Sequence, residues 1–411
     1  MTAVVPAPVR PDRRPPAVPP RTRSRSLVTL AALLVVVGSV GWRRGEYFTG
    51  SLDPVVVAKA CVSVLALALA FLLAQAGPRR RVGTGTVWWL GLLLACTVLG
   101  ALTAGHLVAG GVVAVRVALL GATVLLLLRA VSAVDVLTAV VRACVAVALV
   151  AAVTGLPSYT DGRLAGGVPA IDPNELALLA STGVLYVAWR TVVGRAGVRA
   201  ALTAAVLSGV VWATGSRTAL LMLVLGVAAM ALHIRRPRVG LVVGGLVLAG
   251  AAAVTVVSTG AVAGFVSRGG DGTSTLGSRF IAWRAALDWA DSQWQTAVGG
   301  GLSVKIIRVQ GQYWDTQPLD SSWVSLLVQA GWVGVLLGGG WVLWSLRGVL
   351  EAPREHRVLF LGLLVFLLGR SVLESGLFDA SVAFLLFTAV SLLAEGGSRD
   401  RLRAEEPEVP A

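Results

Sequence analysis

The chain has 411 residues, of which 56% are hydrophobic and 14% charged, and its net charge is +14. Apolar runs of about 17–25 residues recur along it, which is the length that a helix needs to cross a bilayer. Stretches such as "VSVLALALAFLLA" are continuously apolar rather than alternating, which excludes a membrane β-barrel. The predicted fold class is an all-α polytopic membrane protein. No aromatic and basic binding module accompanies the positive charge, so we predict lipid contact and no nucleic-acid partner.

Five segments follow in chain order. Residues 1–26 are rich in proline and arginine and predict a disordered basic cytoplasmic tail. Residues 27–264 hold the first nine predicted transmembrane helices, 265–319 form a large extracytoplasmic loop, 320–394 hold the last three helices, and 395–411 form a second cytoplasmic tail. The twelve predicted spans lie near 27–42, 52–76, 87–105, 107–128, 134–155, 173–193, 198–214, 218–234, 239–264, 320–346, 357–374 and 376–394. The three cysteines lie in apolar runs without metal-ligand spacing, so neither a disulfide nor a metal site is predicted.

The orientation follows from the arginines in the short loops. Thirteen arginines fall on the side that contains the N-terminus and only four, Arg43, Arg44, Arg163 and Arg217, fall on the opposite side. The positive-inside rule therefore places both termini in the cytoplasm, the protein in the cytoplasmic (inner) membrane, and the long loop outside.

The loop before the sixth span reads "TGLPSYTDGRLAGGVPAIDPNELA". Asp172 is a predicted N-cap, Pro173 suits the first helical turn, and Glu175 complements the helix dipole. The alternative is that these polar groups face an active-site cavity, and the sequence leaves both interpretations open.

The large loop contains "GSRFIAWRAALDWADSQWQTAVGGGLSV", which predicts an amphipathic helix at the membrane surface followed by a flexible glycine triplet. The helical spacing puts five residues on one face: Arg279, Trp283, Ala286, Leu287 and Ala290. Three charged residues fall elsewhere on the helix: Arg284, Asp288 and Asp291.

Arg217 stands at a helix start in "WATGSRTALLML". A positive charge there is unfavourable against the helix dipole unless an anion compensates it. Either Arg217 extends to the interface or pairs with an acid, or it receives a phosphate together with the hydroxyls of Ser216 and Thr218 and the backbone amides of the helix start.

Three motifs resemble a known family in their order and spacing. "TGSRTALLML", "SRFIAWRAALDW" with "GGG" behind it, and "DSSWVSLLVQAGWVGVLL" are similar to motifs of the O-antigen ligase and polysaccharide polymerase superfamily. The resemblance implies a GT-C-type glycosyltransferase with about twelve spans that acts at the outer membrane face. It implies a donor glycan on a polyprenyl-pyrophosphate carrier and an acceptor hydroxyl, with no cofactor, no nucleotide sugar and no metal. Arg217 and Arg279 match the two arginines that hold the pyrophosphate.

The chain departs from the family at the position of its histidine. Asp320 aligns with that histidine and Ser321 with the next asparagine, so Asp320 is the candidate base and the departure favours a polymerase or a divergent ligase. Asp320 could instead be the N-cap of the span that it opens, and Asp315 could face the acceptor in its place. The remaining predicted substrate-binding residues are Ser216, Thr218, Trp283, Arg284, Asp315, Ser321 and Arg116.

Charges inside the spans need partners or an aqueous cavity. Arg370 and Glu374 are four residues apart and predict a pair on one helix face. Arg116 is central in its span, and we predict that it contacts the pyrophosphate of the carrier from the membrane side.

Two other function classes remain. The first is a flippase or transporter of lipid-linked glycans, although no repeat between the halves is visible and polar groups concentrate in one outer loop. The second is a non-catalytic scaffold that binds polyprenyl phosphates. A chain-length regulator is a further possible partner.

Overall fold

The computed structural model describes residues 21–44, 53–77, 80–193, 197–233, 275–309 and 315–405. Its regular structure is almost entirely helical. The first eight helices are α1 (Arg21–Ser39), α2 (Pro54–Ala76), α3 (Gly85–Thr103), α4 (Leu107–Ala130), α5 (Ala133–Thr154), α6 (Pro173–Val192), α7 (Val198–Ala213) and α8 (Arg217–Leu232). They are followed by α9 (Thr275–Leu287), α10 (Gln293–Val298), β1 (Ile306–Arg308), β2 (Thr316–Pro318), α11 (Ser322–Leu350), α12 (Arg354–Leu373), α13 (Val382–Leu393) and α14 (Gly396–Glu405). A short 3-10 helix covers Leu156–Asp161.

Six of the described helices are long and apolar enough to cross a membrane: α2, α3, α4, α5, α11 and α12. The α13–α14 pair, bent by 75°, passes the same test when taken as one span, which raises the number to seven. Three shorter apolar helices, α1, α7 and α8, coincide with further predicted spans. The all-α multi-pass membrane class is confirmed. The count of twelve stays a prediction, and the predicted span at 239–264 lies outside the described residues.

Small residues let the helices pack closely. Helix α8 packs along α12, α2 along α4, and α3 along α11. At the α8–α12 contact, a Cβ atom added to Gly226 would lie 2.9 Å from the carbonyl oxygen of Gly362. In lipid, where apolar side chains gain little from meeting each other, such close backbone approach is a main source of helix association.

The ends of two predicted segments differ from the structure. Helix α1 begins at Arg21, inside the segment predicted as a tail, because no proline follows Pro20 to stop it. The last predicted span, 376–394, begins with a turn, and α13 starts only after its N-cap Ser381. The apolar pattern missed this turn because Leu377 and Phe378 are buried within it.

Helix α9 matches the predicted amphipathic helix in part. Ala282 and Ala286 are buried in a small second core with Ile307 and Leu319. Leu287, however, is 65% exposed and is the last residue of the helix, so the predicted face was wrong at Leu287 and Ala290. A new helix start at Ser292, which caps α10, interrupts the pattern.

The glycine triplet is a buried, fixed turn and not the flexible hinge that we predicted. The amides of Gly300 and Gly301 each donate to a carbonyl of α11, those of Val328 and Gln329, over 2.9 Å. Gly299 has a φ of 74°, and α11 is kinked beside it at Gly331, whose φ is 63°. The two backbones touch, because a Cβ atom on Gly299 would lie 2.3 Å from the carbonyl carbon of Gln329.

We expect Gly299→Ala to destabilise the protein by about 2–4 kcal/mol, because alanine disfavours this backbone conformation and its methyl group would push the turn off α11. Thermal unfolding in detergent measures the effect. Gly339→Ala is the matched control, since Gly339 lies in α11, the helix that the Gly299 turn contacts, with open space where its Cβ would be. It should be neutral or slightly stabilising. Equal unfolding temperatures for the two variants would contradict the fixed turn.

Candidate functional site

A group of charged residues gathers at one end of the helical bundle. We call it the polar cluster, and its members are Lys59, Arg116, Asp172, Glu175, Arg279, Lys305, Asp320, Arg370, Glu374 and Asp379. They come from five helices and from the loops before α6, α11 and α13. The fold thus concentrates at one end the charges that would be costly elsewhere in the bilayer.

This end holds the starts of α6, α8, α11 and α13, each with a side-chain cap. Asp172 accepts from the amide of Asn174 over 2.8 Å at the start of α6. Serines cap the other three helices, with Ser216 on α8, Ser321 on α11 and Ser381 on α13. Helix N-termini carry partial positive charge, so their convergence adds to the attraction of this end for anions.

Arg279 is the central cation of the polar cluster. Its Nε atom lies 3.7 Å from Oδ2 of Asp320, and its Nη2 atom lies 3.5 Å from Oε1 of Glu374. Its side chain is 18% exposed. Arg279 thereby connects α9 to the start of α11 and the end of α12.

Both carboxylates that contact Arg279 titrate abnormally. Burial raises the pKa of Asp320, with the nearby charge of Asp172 acting in the same direction and Arg279 acting against it. Burial also raises the pKa of Glu374, against the attraction of Arg370 and Arg279. Desolvation therefore dominates over ion pairing at both groups, and each is a stronger base than an ordinary carboxylate.

Arg217 is exposed at the first residue of α8. The turn before it is joined to the polar cluster by Arg163, which donates to the carbonyl oxygen of Thr214 over 2.9 Å and to Oδ1 of Asn174 over 3.1 Å. Arg370 in turn donates to the carbonyl oxygen of Asn174 over 3.3 Å. The structure therefore brings Arg217 to the same end as Arg279.

Several predicted substrate-binding residues are buried or half-buried, and two of them cap helices. Ser216 is buried and its hydroxyl caps α8. Ser321 is buried and caps α11. Thr218 is half-buried on α8. Whether these hydroxyls also contact substrate stays a prediction.

Two predicted residues of α9 differ in exposure. Trp283 is half-buried and contacts Phe280 edge to face, with ring centroids 5.4 Å apart. Its buried indole N–H has no hydrogen-bond partner within the described part of the chain. Arg284 is exposed. The unsatisfied donor is therefore on Trp283, beside the cluster residue Arg279.

The structure separates the two candidate aspartates. Asp315 is exposed at the end of the β1–β2 hairpin, where its carbonyl oxygen accepts from the amide of Val309 over 2.9 Å. Asp320 contacts Arg279 in the polar cluster. The alternative role of Asp320 as an N-cap is wrong, because Ser321 caps α11 and leaves the Asp320 carboxylate free for Arg279.

The predicted pair between Arg370 and Glu374 is also replaced. Glu374 makes its contact within 4 Å with Arg279, although the charge of Arg370 lowers the pKa of Glu374 more than that of Arg279 does. For the loop before α6, the helix-start interpretation is confirmed at Asp172, and the interpretation that its polar groups face an active-site cavity stays a prediction. Asp172 is the N-cap, whereas Glu175 accepts from the amide of Gly41 over 2.9 Å and lies near Lys59.

The sequence analysis missed Lys305 and Asp379, which form an ion pair. Burial alone would raise the pKa of Asp379, but the Lys305 ammonium holds it below its usual value. The two border a small pocket, with a volume of about 20 Å³, that is also lined by Leu319, Ser322, Ser325, Gln329, Ser375, Gly376 and Phe378. Asp379 lay inside a segment predicted as a span, and the nearby polar residues Glu374, Ser375 and Ser381 were the signal that this segment does not begin in the membrane.

Across the described ranges, no three His, Cys, Asp or Glu side chains are grouped so as to hold a metal ion. The arrangement offers guanidinium and ammonium groups, helix N-termini and carboxylates with raised pKa values. Such groups can bind a phosphate-bearing ligand and accept a proton beside it.

Comparison with known families gives one match. Residues 176–338 match a family described as O-antigen ligase. The matched segment runs from α6 to the middle of α11 and contains Arg217, Arg279 and Asp320. No curated protein matches the chain. The resemblance that the three sequence motifs indicated is therefore confirmed.

Proposed function

Because this chain is related through residues 176–338 to the O-antigen ligase and polysaccharide polymerase superfamily, we propose that it is a membrane glycosyltransferase of cell-surface polysaccharide assembly. Its donor is a glycan linked through pyrophosphate to a polyprenyl carrier, and its acceptor is a hydroxyl group of a glycan. It works in the cytoplasmic membrane, with both termini inside and the polar cluster facing outward. The arginine asymmetry of the short loops supports this orientation.

The observation that carries the proposal is the placement of Arg279 between two carboxylates of raised pKa. Asp320 and Glu374 lie 3.7 Å and 3.5 Å from its guanidinium group. An arginine held in a poorly hydrated site stabilises a developing phosphate charge better than water does, because it is already oriented when the charge appears. Arg217, at the start of α8 and at the same end of the bundle, supplies a second guanidinium group.

The reaction moves one glycosyl group. The acceptor oxygen forms a bond to the anomeric carbon of the donor as the bond from that carbon to the pyrophosphate oxygen breaks. The acceptor proton passes to the Asp320 carboxylate, and the bonding electrons leave with the polyprenyl pyrophosphate. Arg217 and Arg279 bind that anion, and Trp283 lies beside Arg279 as part of the same binding surface.

Asp320 is suited to the role of base in the place of the family histidine. An ordinary aspartate is a poor proton acceptor at neutral pH, since its pKa is about 3.9. Burial raises the pKa of Asp320 and brings it nearer the pH of the reaction. Its side chain is also 38% exposed, compared with 12% for Glu374, so Asp320 is the carboxylate that an acceptor can reach.

Loss of either arginine should block transfer. In a deletion strain complemented with Arg217→Ala or Arg279→Ala, we expect about a 10²–10³-fold loss of rate, with single carrier-linked repeats accumulating in place of long glycan. Gel analysis of the glycan beside extracted lipid measures this. Arg308→Ala is the control, because Arg308 is exposed on β1 outside the polar cluster.

Other outcomes of this experiment identify other functions. Single repeats that accumulate on the cytoplasmic face would show a flippase. Polymer that forms normally in the variants but stays on its carrier would show a ligase.

Asp320→Asn tests the base. The amide keeps the size of the side chain but cannot accept the acceptor proton, so turnover in membranes with lipid-linked substrate should fall about 10²–10⁴-fold. Asp288→Asn, at an exposed position after α9, should leave turnover unchanged. Unchanged turnover in Asp320→Asn would favour a binding scaffold, and a loss confined to Asp315→Asn would move the base to Asp315.

Asp172→Asn tests the titration of this base. A carboxylate base loses activity as the pH falls through its pKa, so the raised pKa of Asp320 places the acid limb of the pH–rate profile above that of an ordinary aspartate. Asp172 contributes to that rise. Asparagine caps helices as well as aspartate does, so the variant removes only the charge.

The acid limb of the pH–rate profile should therefore lie at lower pH for Asp172→Asn than for the wild type. Asp135→Asn, near the Ser132 cap of α5, serves as the control and should leave the profile in place. A shift of the limb to higher pH would contradict the assignment.

A further inference from the structure

Two cations lie inside apolar helices close to each other. Lys59 is on α2 and Arg116 on α4, near enough for their charges to repel. The Lys59 ammonium donates to the carbonyl oxygen of Val40 over 2.7 Å. Arg116 is half-buried, and within the described residues its guanidinium group donates no hydrogen bond. An arginine stays charged at every accessible pH, so an apolar span that holds one without a hydrogen-bond partner is costly unless a ligand or water supplies one.

The carboxylates near this pair are already engaged. Asp379 forms its ion pair with Lys305. Glu175 accepts from the amide of Gly41 and lies in the fields of both Lys59 and Arg370. Arg370 is also attracted by Glu374, so in the rest of this part of the polar cluster Glu175 and Asp379 face three cations: Lys59, Arg116 and Lys305. This leaves one positive charge in excess around Lys59 and Arg116.

The depth of the pair suits a lipid phosphate. Lys59 is the sixth residue of α2 and Arg116 the tenth of α4, so at about 1.5 Å per residue they lie about 8 Å and 14 Å from the helix starts. Side chains on a helix lean toward its N-terminus. Both cations thus extend toward the polar cluster and the level at which lipid headgroups lie.

We propose that Lys59 and Arg116 form a second anion site, which binds the phosphate group of a membrane lipid. The guanidinium of Arg116 can bind two phosphate oxygens at once, and the Lys59 ammonium neutralises further charge. Among the described contacts neither residue touches Arg217 or Arg279, so this site adds a phosphate to the one held by those arginines. The identification of that lipid as a polyprenyl phosphate rests on the proposed function; the site itself does not.

Lipid binding to purified, delipidated protein in a neutral detergent tests the proposal. The probes are a polyprenyl phosphate, phosphatidylglycerol and, as the reference without a phosphate group, the unphosphorylated polyprenol. Retained lipid is counted by native mass spectrometry, and the unfolding temperature is measured with and without each probe. Arg116→Leu and Lys59→Gln should each weaken binding of the phosphate lipid about tenfold. Arg142→Gln, an exposed arginine in α5, should bind as the wild type does.

A second readout separates a binding role from a structural one. Arg116 repels Lys59 and makes no hydrogen bond within the described residues. In the absence of lipid, Arg116→Leu should therefore unfold at a higher temperature than the wild type does. When the phosphate lipid is added, the unfolding temperature of Arg116→Leu should not rise as that of the wild type does. A lower unfolding temperature without lipid would mean that Arg116 is structural and would overturn the proposal.

Preference for the polyprenyl phosphate identifies the carrier, and equal binding of phosphatidylglycerol identifies an ordinary phospholipid phosphate. Binding of neither overturns the site. None of these measurements depends on glycosyl transfer, so failure of the proposed function in the Arg217→Ala experiment would be distinguishable from failure here.

Discussion

Charge at membrane depth is the constraint on which this structure depends. A charged side chain in lipid must be paired, hydrated or bound to a ligand, and the polar cluster meets this requirement at one end of the helices. At the other end, the buried Glu395 accepts from the amides of Gly85 and Thr86. Arg279 is the centre of the polar cluster, since it contacts one carboxylate before α11 and another after α12. The helix starts capped by Asp172, Ser216, Ser321 and Ser381 lie at the same end, so backbone dipoles and side chains favour anions together.

The position of Arg279 depends in turn on a backbone contact remote from any charge. The turn at Gly299 fits against the kink of α11 at Gly331, with room for no Cβ atom on either side. This contact fixes the segment that follows α9 and α10 onto the helix that Asp320 precedes. Interiors are close-packed and transmit small displacements, so a loose turn here would separate the arginine from its carboxylates.

The sequence predicted the helical membrane class and the two arginines with the aspartate that the structure brings to one end. These features depend on local signals, namely apolar runs, a helix start and motif spacing. The Lys305–Asp379 pair and the contact of Glu175 with the amide of Gly41 join residues distant in sequence, and no periodicity reports such contacts. The glycine triplet was misjudged for a related reason, because only the fold shows whether glycine supplies flexibility or close approach.

The two carboxylates that contact Arg279 differ in their exposure to solvent, and this difference suits them to different chemical roles. Glu374 is 12% exposed and its pKa is raised by burial. As the pH falls, a growing fraction of Glu374 is therefore in the neutral form, which can donate a hydrogen bond. Asp320 is 38% exposed and reaches solvent. An anion that binds Arg279 would repel both carboxylates and raise both pKa values further. In the proposed reaction, donor binding thus makes Asp320 a stronger base at the moment when the acceptor proton has to leave.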